Sequence, residues 1–164
     1  MARNDPHSYH DSQQPKTRSL SLALDLDFQA RTVRGEAALD FGGPVGGTVD
    51  LDTRGLAILS ARTDAGEDIA WDLGEPDPIL GQRLRLSLPE GTRQVRIGYH
   101  TSPDATALQW LEPGHTAGKA HPFLFSQCQP HHARSLAPLQ DSPRVRVPYE
   151  AEVTVPEPLV AVMS

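Results

Sequence analysis

Apolar and polar residues alternate along most of the chain. Between residues 18 and 28, leucine or phenylalanine stands at every second position, with serine, alanine or aspartate at the positions between them. Residues 33–41 repeat the pattern after a short link. Because successive side chains of a strand point to opposite faces, this period predicts two half-buried strands that form a hairpin.

Further stretches of the same kind follow. They lie at residues 49–51, 56–59, 69–73, 84–88, 95–99, 107–111 and 145–155. The glycine-rich residues 42–47 and the segment Pro89–Gly91 are predicted to turn the chain, because glycine and proline interrupt regular strands. About eight closely spaced strands predict an all-β fold, either a sandwich or a curved, twisted sheet.

Two segments lack the alternation. Residues 1–17 are polar and are expected to form a flexible N-terminal arm ahead of a β domain that spans residues 18–164. Residues 112–143 contain four histidines and the single cysteine. A compact domain seldom spends about 30 residues on irregular chain without a functional reason, so this segment is the place to look for chemistry.

Composition and charge exclude several functions. The chain has 164 residues and a formal net charge of −6, which disfavours nucleic acid as a partner because phosphate binding needs clustered positive charge. No stretch approaches the roughly 20 apolar residues of a membrane span, and the polar start lacks the apolar region of a signal peptide. A lone cysteine cannot form an internal disulfide. These features predict a cytoplasmic protein without a membrane partner.

The irregular segment contains a possible set of metal ligands. These are His115, His121, Cys128, His131 and His132. Zinc accepts such ligands, but adjacent histidines on a strand point to opposite faces, and the sequence contains neither His-Glu-x-x-His nor Cys-x-x-Cys. We therefore expect hydrogen-bonded or exposed histidines and no metal. The carboxylates Asp25, Asp27, Asp50 and Asp52 alternate along predicted strands, which indicates solvated faces and no acid–base pair.

Two further readings concern Gln127-Cys128-Gln129. A Cys128–histidine pair could in principle activate a thiolate, but a lone cysteine is more often a small buried apolar residue. In a strand, Gln127 and Gln129 would share one face and offer two carbonyl acceptors to an ammonium or hydroxyl group. Glutamines that are simply exposed at the surface are the alternative interpretation.

Several stretches resemble one protein family. Ala107–Leu111, Thr116–Lys119, His121–Gln129, Asp141–Pro143, Tyr149–Val153 and Ala161–Ser164 look like the N-terminal domain of the leukotriene A4 hydrolase-like branch of the family M1 zinc aminopeptidases. Leu51–Thr53 and Leu73–Glu75 are also similar, so the resemblance covers residues 19–164. The run Phe123–Gln129 is the most specific part of it.

The resemblance implies a saddle-like, all-β domain that caps a thermolysin-like catalytic domain. The zinc of the complete protein would be bound by that second domain, because the His-Glu-x-x-His motif is absent here. The apolar end of the sequence fits a cut inside a longer protein. The fragment is then expected to bind no zinc, to contain no catalytic residue and to be inactive alone.

The resemblance also implies two substrate-binding residues. The position of Gln129 would hold the free α-amine of a peptide substrate, with Gln127 beside it. Many family members have glutamate at the position of Gln129, and a neutral amide holds an ammonium more weakly than a carboxylate does. The predicted partners are therefore a peptide with a free N-terminus and the catalytic domain. A stand-alone β-sandwich module that binds peptides or proteins without catalysis is the alternative.

Overall fold

The computed structural model describes residues 5–163, and its regular secondary structure is almost entirely β-strand. The eight strands are β1 (Ser19–Asp27), β2 (Thr32–Thr53), β3 (Ala57–Thr63), β4 (Ala70–Leu73), β5 (Gln82–His100), β6 (Leu108–Leu111), β7 (Phe123–Ser126) and β8 (Tyr149–Thr154). Two short 3-10 turns, Pro113–His115 and Ala133–Ser135, are the remaining regular elements in this range. The predicted all-β class is confirmed. No helix within the described part of the chain has the length and apolar character needed to cross a membrane.

Six strands form one open sheet in the order β3-β5-β2-β1-β8, with β4 paired to β5 beside β3. All pairs are antiparallel except β1 with β8, which are parallel. Strands β6 and β7 make a separate two-stranded sheet. The alternation that begins at residue 18 thus corresponds to an open main sheet with a small two-stranded sheet beside it.

The two predicted turns at residues 42–47 and Pro89–Gly91 are wrong, because β2 and β5 run continuously through them. The two segments lie opposite each other, and the register between the strands shifts between Asp40 and Gly47. Gly42, Gly47 and Gly91 have positive φ angles of 74°, 84° and 90°. Glycine adopts this conformation without a Cβ clash, so the glycines bend the paired strands where a turn was expected.

The core lies on one face of the main sheet, as the alternation predicts. Its buried residues include Leu20, Leu22, Leu24, Val33, Leu39, Val49, Leu51, Leu84, Leu86, Val95, Ile97 and Tyr99. Leu108 of β6 is buried with them, and the partly buried Trp110 and Leu124 of the hairpin pack against the cluster. The hairpin is therefore attached to the main sheet through its apolar side chains.

The last strand is shorter than the sequence indicates. The alternation spans residues 145–155, whereas β8 covers only Tyr149–Thr154. The preceding residue is Pro148, which lacks the backbone N–H that pairing would require. Residues 112–143 are mostly irregular, as expected, apart from β7 and the two 3-10 turns.

The N-terminal arm has no helix or strand in its described part, and its first four residues lie outside the described residues. Residues 5–17 nevertheless pack closely on the domain. Asp5, Ser8, His10 and Thr17 are buried, although the sequence predicted a polar, frayed segment. The arm covers the face of β2 opposite the core, where Asp50 and Asp52 are buried. The prediction that these two aspartates lie on a solvated face is wrong for this reason.

Candidate functional site

Gln127 and Gln129 project from the loop that follows β7. The strand ends at Ser126, so the triplet lies just beyond it, but its exposure still alternates: both glutamines are exposed and Cys128 is half-buried. Neither glutamine side chain has a hydrogen-bond partner among residues 5–163. The two amides are therefore free to meet a ligand, and their carbonyl oxygens can accept hydrogen bonds from an ammonium group.

The loop backbone is fixed at both ends. Gln127 donates its backbone N–H to the Ala107 carbonyl at 2.8 Å, which continues the pairing of β7 with β6. The His132 N–H donates to the Cys128 carbonyl at 2.9 Å and closes the loop as a turn. The side chain of Cys128 packs against the core. Two exposed amides are thus carried on a short, anchored loop.

A buried ionic cluster lies behind this loop. Arg134, in the 3-10 turn after the loop, and Asp52 of β2 are both fully buried. The Arg134 Nε donates to Asp141 Oδ2 at 2.9 Å, and its Nη1 lies 3.8 Å from Asp52 Oδ1. Burial raises the pKa of the Asp52 carboxyl, while hydrogen bonds from Ser8 and Tyr9 and the charge of Arg134 oppose that rise.

The sequence reasoning missed Arg134 and Asp52. Asp52 looked like any aspartate on the solvated face of a strand, and Arg134 was one arginine among many. The one sequence feature that could have indicated the burial of Asp52 was the presence of irregular segments. A buried aspartate at the end of β2 requires a covering chain that donates hydrogen bonds to it. That covering chain comes from two segments that show no periodicity, the arm and residues 134–142.

The structure does not gather the candidate metal ligands. His115 and His121 are exposed near the first 3-10 turn, whereas the His131 ring stacks on the His7 ring. His132 Nδ1 lies 2.9 Å from the Thr106 hydroxyl. Residues 5–163 contain no group of three or more histidine, cysteine, aspartate or glutamate side chains placed to hold a metal ion. These residues therefore do not fit a zinc site.

Cys128 is placed as a structural residue. Burial, together with the nearby Asp141 carboxylate, raises the pKa of its thiol. A raised pKa reduces the thiolate fraction at neutral pH, and the thiolate is the nucleophilic form. The surroundings of Cys128 thus disfavour the nucleophilic role that was weighed from the sequence.

An exposed apolar surface adjoins the loop. It consists of Phe123 and Phe125 of β7, which are 53% and 50% exposed, and of Val160, Val162 and Met163, which are 83%, 90% and 47% exposed. These residues line a groove of about 360 Å³ between the hairpin, β8 and the C-terminal segment. We call these five residues the apolar surface.

Comparison with known proteins places the chain among peptidase domains. Residues 6–164 match the Peptidase M1 N-terminal domain. The chain is 36% identical over 167 residues to the leukotriene A-4 hydrolase of Xenopus laevis. The matched region covers 98% of this chain and 27% of that protein. It is 32% identical to leucine aminopeptidase 2 of Pyricularia oryzae, again over 98% of this chain and 27% of the relative.

Solved structures agree. The leukotriene A4 hydrolase of Saccharomyces cerevisiae superposes with a TM-score of 0.84 at 26% identity, over 98% of this chain and 27% of that one. An M1 zinc metallopeptidase of Deinococcus radiodurans, solved with a Tyr-Ser-Ala substrate, matches 84% of this chain and 32% of that one. Its TM-score is 0.60 at 18% identity, so it shares the fold. The chain spans about a quarter to a third of the length of these proteins.

Proposed function

The chain belongs to the peptidase M1 N-terminal domain family, and on that premise we propose that it is the substrate-binding and cleft-forming domain of a zinc aminopeptidase. The complete enzyme removes N-terminal residues from peptides. This domain contributes contacts to the substrate's free amine and a surface for the catalytic domain. The observation that carries the proposal is the pair of exposed amides on the anchored loop, Gln127 and Gln129.

The amine contact follows from hydrogen-bond chemistry. A substrate ammonium has only donors, and a glutamine side-chain carbonyl is an acceptor. Both amides are exposed and have no partner within the described chain, so binding an ammonium displaces water from them and breaks no hydrogen bond between described residues. A hydrogen bond to a charged group contributes about 1.5–3 kcal/mol, which is enough to decide between a peptide with a free amine and one without.

The apolar surface supports a large protein partner beside the loop. Exposed apolar patches of this kind mark interaction surfaces, because burying them releases water from apolar area. The relatives are about four times as long as this chain, and their remaining length is available for a second domain. We assign the apolar surface to the catalytic domain, which would place the Gln127–Gln129 loop at the edge of the cleft between the two domains.

The zinc of this proposal belongs to the catalytic domain. Its chemistry is to activate water and polarise the scissile carbonyl when it is bound there. The described residues of this chain form no group able to hold a metal ion. The role assigned to them here is to bind and orient the substrate. The fragment alone is expected to cleave nothing. Its cytoplasmic location stays a prediction.

The test is Gln129→Ala in the complete enzyme. Loss of one hydrogen bond to the substrate ammonium should lower kcat/KM for aminoacyl anilide substrates by roughly tenfold or more. Gln29→Ala is the matched control, because Gln29 is an exposed glutamine in the β1–β2 turn. Its kcat/KM should equal that of the unmodified enzyme.

Gln129→Glu adds a second, opposite test. A carboxylate binds an ammonium more strongly than an amide does, so KM for the same substrates should fall. An unchanged kcat/KM in Gln129→Ala together with an unchanged KM in Gln129→Glu would contradict the amine-binding role. The effect of both changes should vanish for any residual activity on N-acetylated substrates, which lack the ammonium.

A further inference from the structure

Arg134 connects three separate segments of the chain. Its Nη1 donates to the Leu80 carbonyl at 2.8 Å, and its Nη2 donates to the His7 carbonyl at 2.8 Å and to the Asp141 carbonyl at 3.1 Å. Its Nε is paired with the Asp141 carboxylate. Every nitrogen of the guanidinium therefore has an acceptor, and these four hydrogen bonds from the rigid, planar group fix the relative positions of all three segments.

Asp52 fixes the same arm from the other side. Its two carboxylate oxygens accept hydrogen bonds from the Ser8 hydroxyl at 2.6 Å, the Tyr9 N–H at 2.7 Å and the Asp141 N–H at 2.8 Å. The arm segment His7–Tyr9 is thus held between a buried cation and a buried anion. Burying such a pair costs several kcal/mol of desolvation, and an apolar residue would fill the space without that cost. What the buried pair provides in return is the fixed geometry that the planar guanidinium of Arg134 imposes on its hydrogen-bond partners.

The arm reaches the candidate loop directly. The rings of His7 and His131 stack with centroids 5.2 Å apart and an interplanar angle of 11°. His131 lies two residues after Gln129 and three before Arg134, inside the turn closed by the hydrogen bond between His132 and Cys128. The arm therefore forms one wall of the turn that carries the two exposed amides.

We propose that Arg134 is a positioning residue, which holds the Gln127–Gln129 loop in its binding geometry by clamping the N-terminal arm against it. This inference rests on the proposed function for the role of the amides in substrate binding. The positioning itself does not depend on that role. The arm contacts the loop through the His7 ring, which stacks on His131. Arg134 holds the arm through the His7 carbonyl, and Arg134 itself follows the turn that carries the loop.

The chain supplies its own reporter of loop position. Cys128 is its one cysteine, it lies between the two glutamines, and it is half-buried against the core. Its alkylation rate rises with the exposure of the half-buried thiol and with its thiolate fraction, so variants are compared at matched thiolate fraction and the remaining difference reports how often the loop opens. Pulse alkylation with iodoacetamide, quantified by mass spectrometry on the peptide that contains Cys128, gives this rate in the complete enzyme.

Two variants test the clamp. Arg134→Lys keeps a positive charge near Asp52, but a single ammonium cannot reach all of the acceptors of the guanidinium. His7→Ala removes the stacked ring, and because the His7 side chain is largely exposed this variant should fold. Both should raise the Cys128 alkylation rate by roughly fivefold or more at unchanged circular dichroism. His7→Phe should restore the original rate, because an aromatic ring can stack again.

Arg85→Lys is the matched control. Arg85 forms an ion pair with Asp50, and Asp50 also binds Gln14 of the arm. The side-chain hydrogen bonds of Arg85 do not reach residues 127–142. It should leave Cys128 alkylation unchanged. In the aminopeptidase assay, Arg134→Lys and His7→Ala should raise KM for aminoacyl substrates more than they lower kcat.

The outcomes separate the two proposals. Unchanged alkylation in both folded variants, or an equal rise in Arg85→Lys, would overturn the positioning role. Faster alkylation with an unchanged KM would support positioning and would count against the substrate-binding role of the glutamines. A KM that rises without faster alkylation would overturn the clamp, and Gln129→Ala would still test the proposed function by itself.

Discussion

Two pairs of aspartates have the same sequence pattern and opposite surroundings. Asp25 and Asp27 of β1 alternate with leucines and are exposed, whereas Asp50 and Asp52 of β2 alternate with Val49 and Leu51 and are buried. The difference lies in what covers each face. Nothing among residues 5–163 buries the polar face of β1, while the arm and residues 134–142 lie over the end of β2. Alternation shows which side chains share a face, but it does not show whether that face meets water.

Among these aspartates, Asp52→Ala should cause the largest loss of stability. The change leaves the Ser8 hydroxyl and the Tyr9 N–H without their acceptor and leaves Arg134 with Asp141 as its remaining carboxylate. The Asp141 N–H loses its acceptor as well, and each of these three buried donors left unsatisfied costs about 1–3 kcal/mol, so the free energy of unfolding should fall by about 3 kcal/mol or more. Urea denaturation followed by tryptophan fluorescence measures it, and a loss below about 1 kcal/mol would contradict the assigned burial.

The fold was largely predictable from the sequence because its main determinant is local. Period-two alternation located β1, the start of β2 and both halves of β5, and it identified which residues form the core. The continuity of β2 and β5 was not predictable, since Gly42–Gly47 can turn or bend a chain and the choice depends on the partner strand.

The residues of the candidate site likewise include some that the sequence indicated and some that it did not. Residue types alone pointed to the histidines of the irregular segment, whereas the family resemblance pointed to Gln127 and Gln129. Their exposure alternates as a strand would predict, and their binding role stays a prediction. Arg134 was not found, because its role depends on acceptors at His7, Leu80 and Asp141. Those acceptors are backbone and side-chain atoms from distant or irregular segments, and no periodic signal marks them.

A smaller effect is expected from Asp50→Ala. Asp50 accepts two hydrogen bonds from Arg85 at 2.7 Å and one from Gln14 at 2.9 Å. Arg85 is about one-third exposed, so water can replace its lost partner. The free energy of unfolding at pH 7 should therefore fall by only about 1–2 kcal/mol.

The pH dependence sharpens this prediction. Burial by itself would raise the pKa of Asp50, but hydrogen bonds from Arg85 and Gln14 and the charges of Arg85 and Arg83 lower it below its usual range. Stability from a carboxyl with a depressed folded-state pKa is present above the unfolded-state value of about 3.9 and is lost as the pH falls through the folded-state value. The difference between the unmodified chain and Asp50→Ala should shrink below about pH 4, and a difference that grows on acidification would contradict the pairing.

The smallest effect should come from Asp25→Ala, which tests the other half of the comparison. Asp25 lies on the exposed face of β1, across from Arg34 and Thr154 of the neighbouring strands, and its carboxylate has no close ion pair within the described chain. A substitution at an exposed residue without an ion pair or a buried contact changes stability by about 0.5 kcal/mol or less, so urea denaturation should barely distinguish this variant from the unmodified chain.

The same measurement in the complete protein makes the test stricter. A loss there but not in the 164-residue chain would mean that another part of the protein covers β1, as the arm covers β2. Equal, small losses in both would mean that the polar face of β1 remains in water, so that the identical alternation at Asp25 and Asp52 differs in energy only through the chain packed over it.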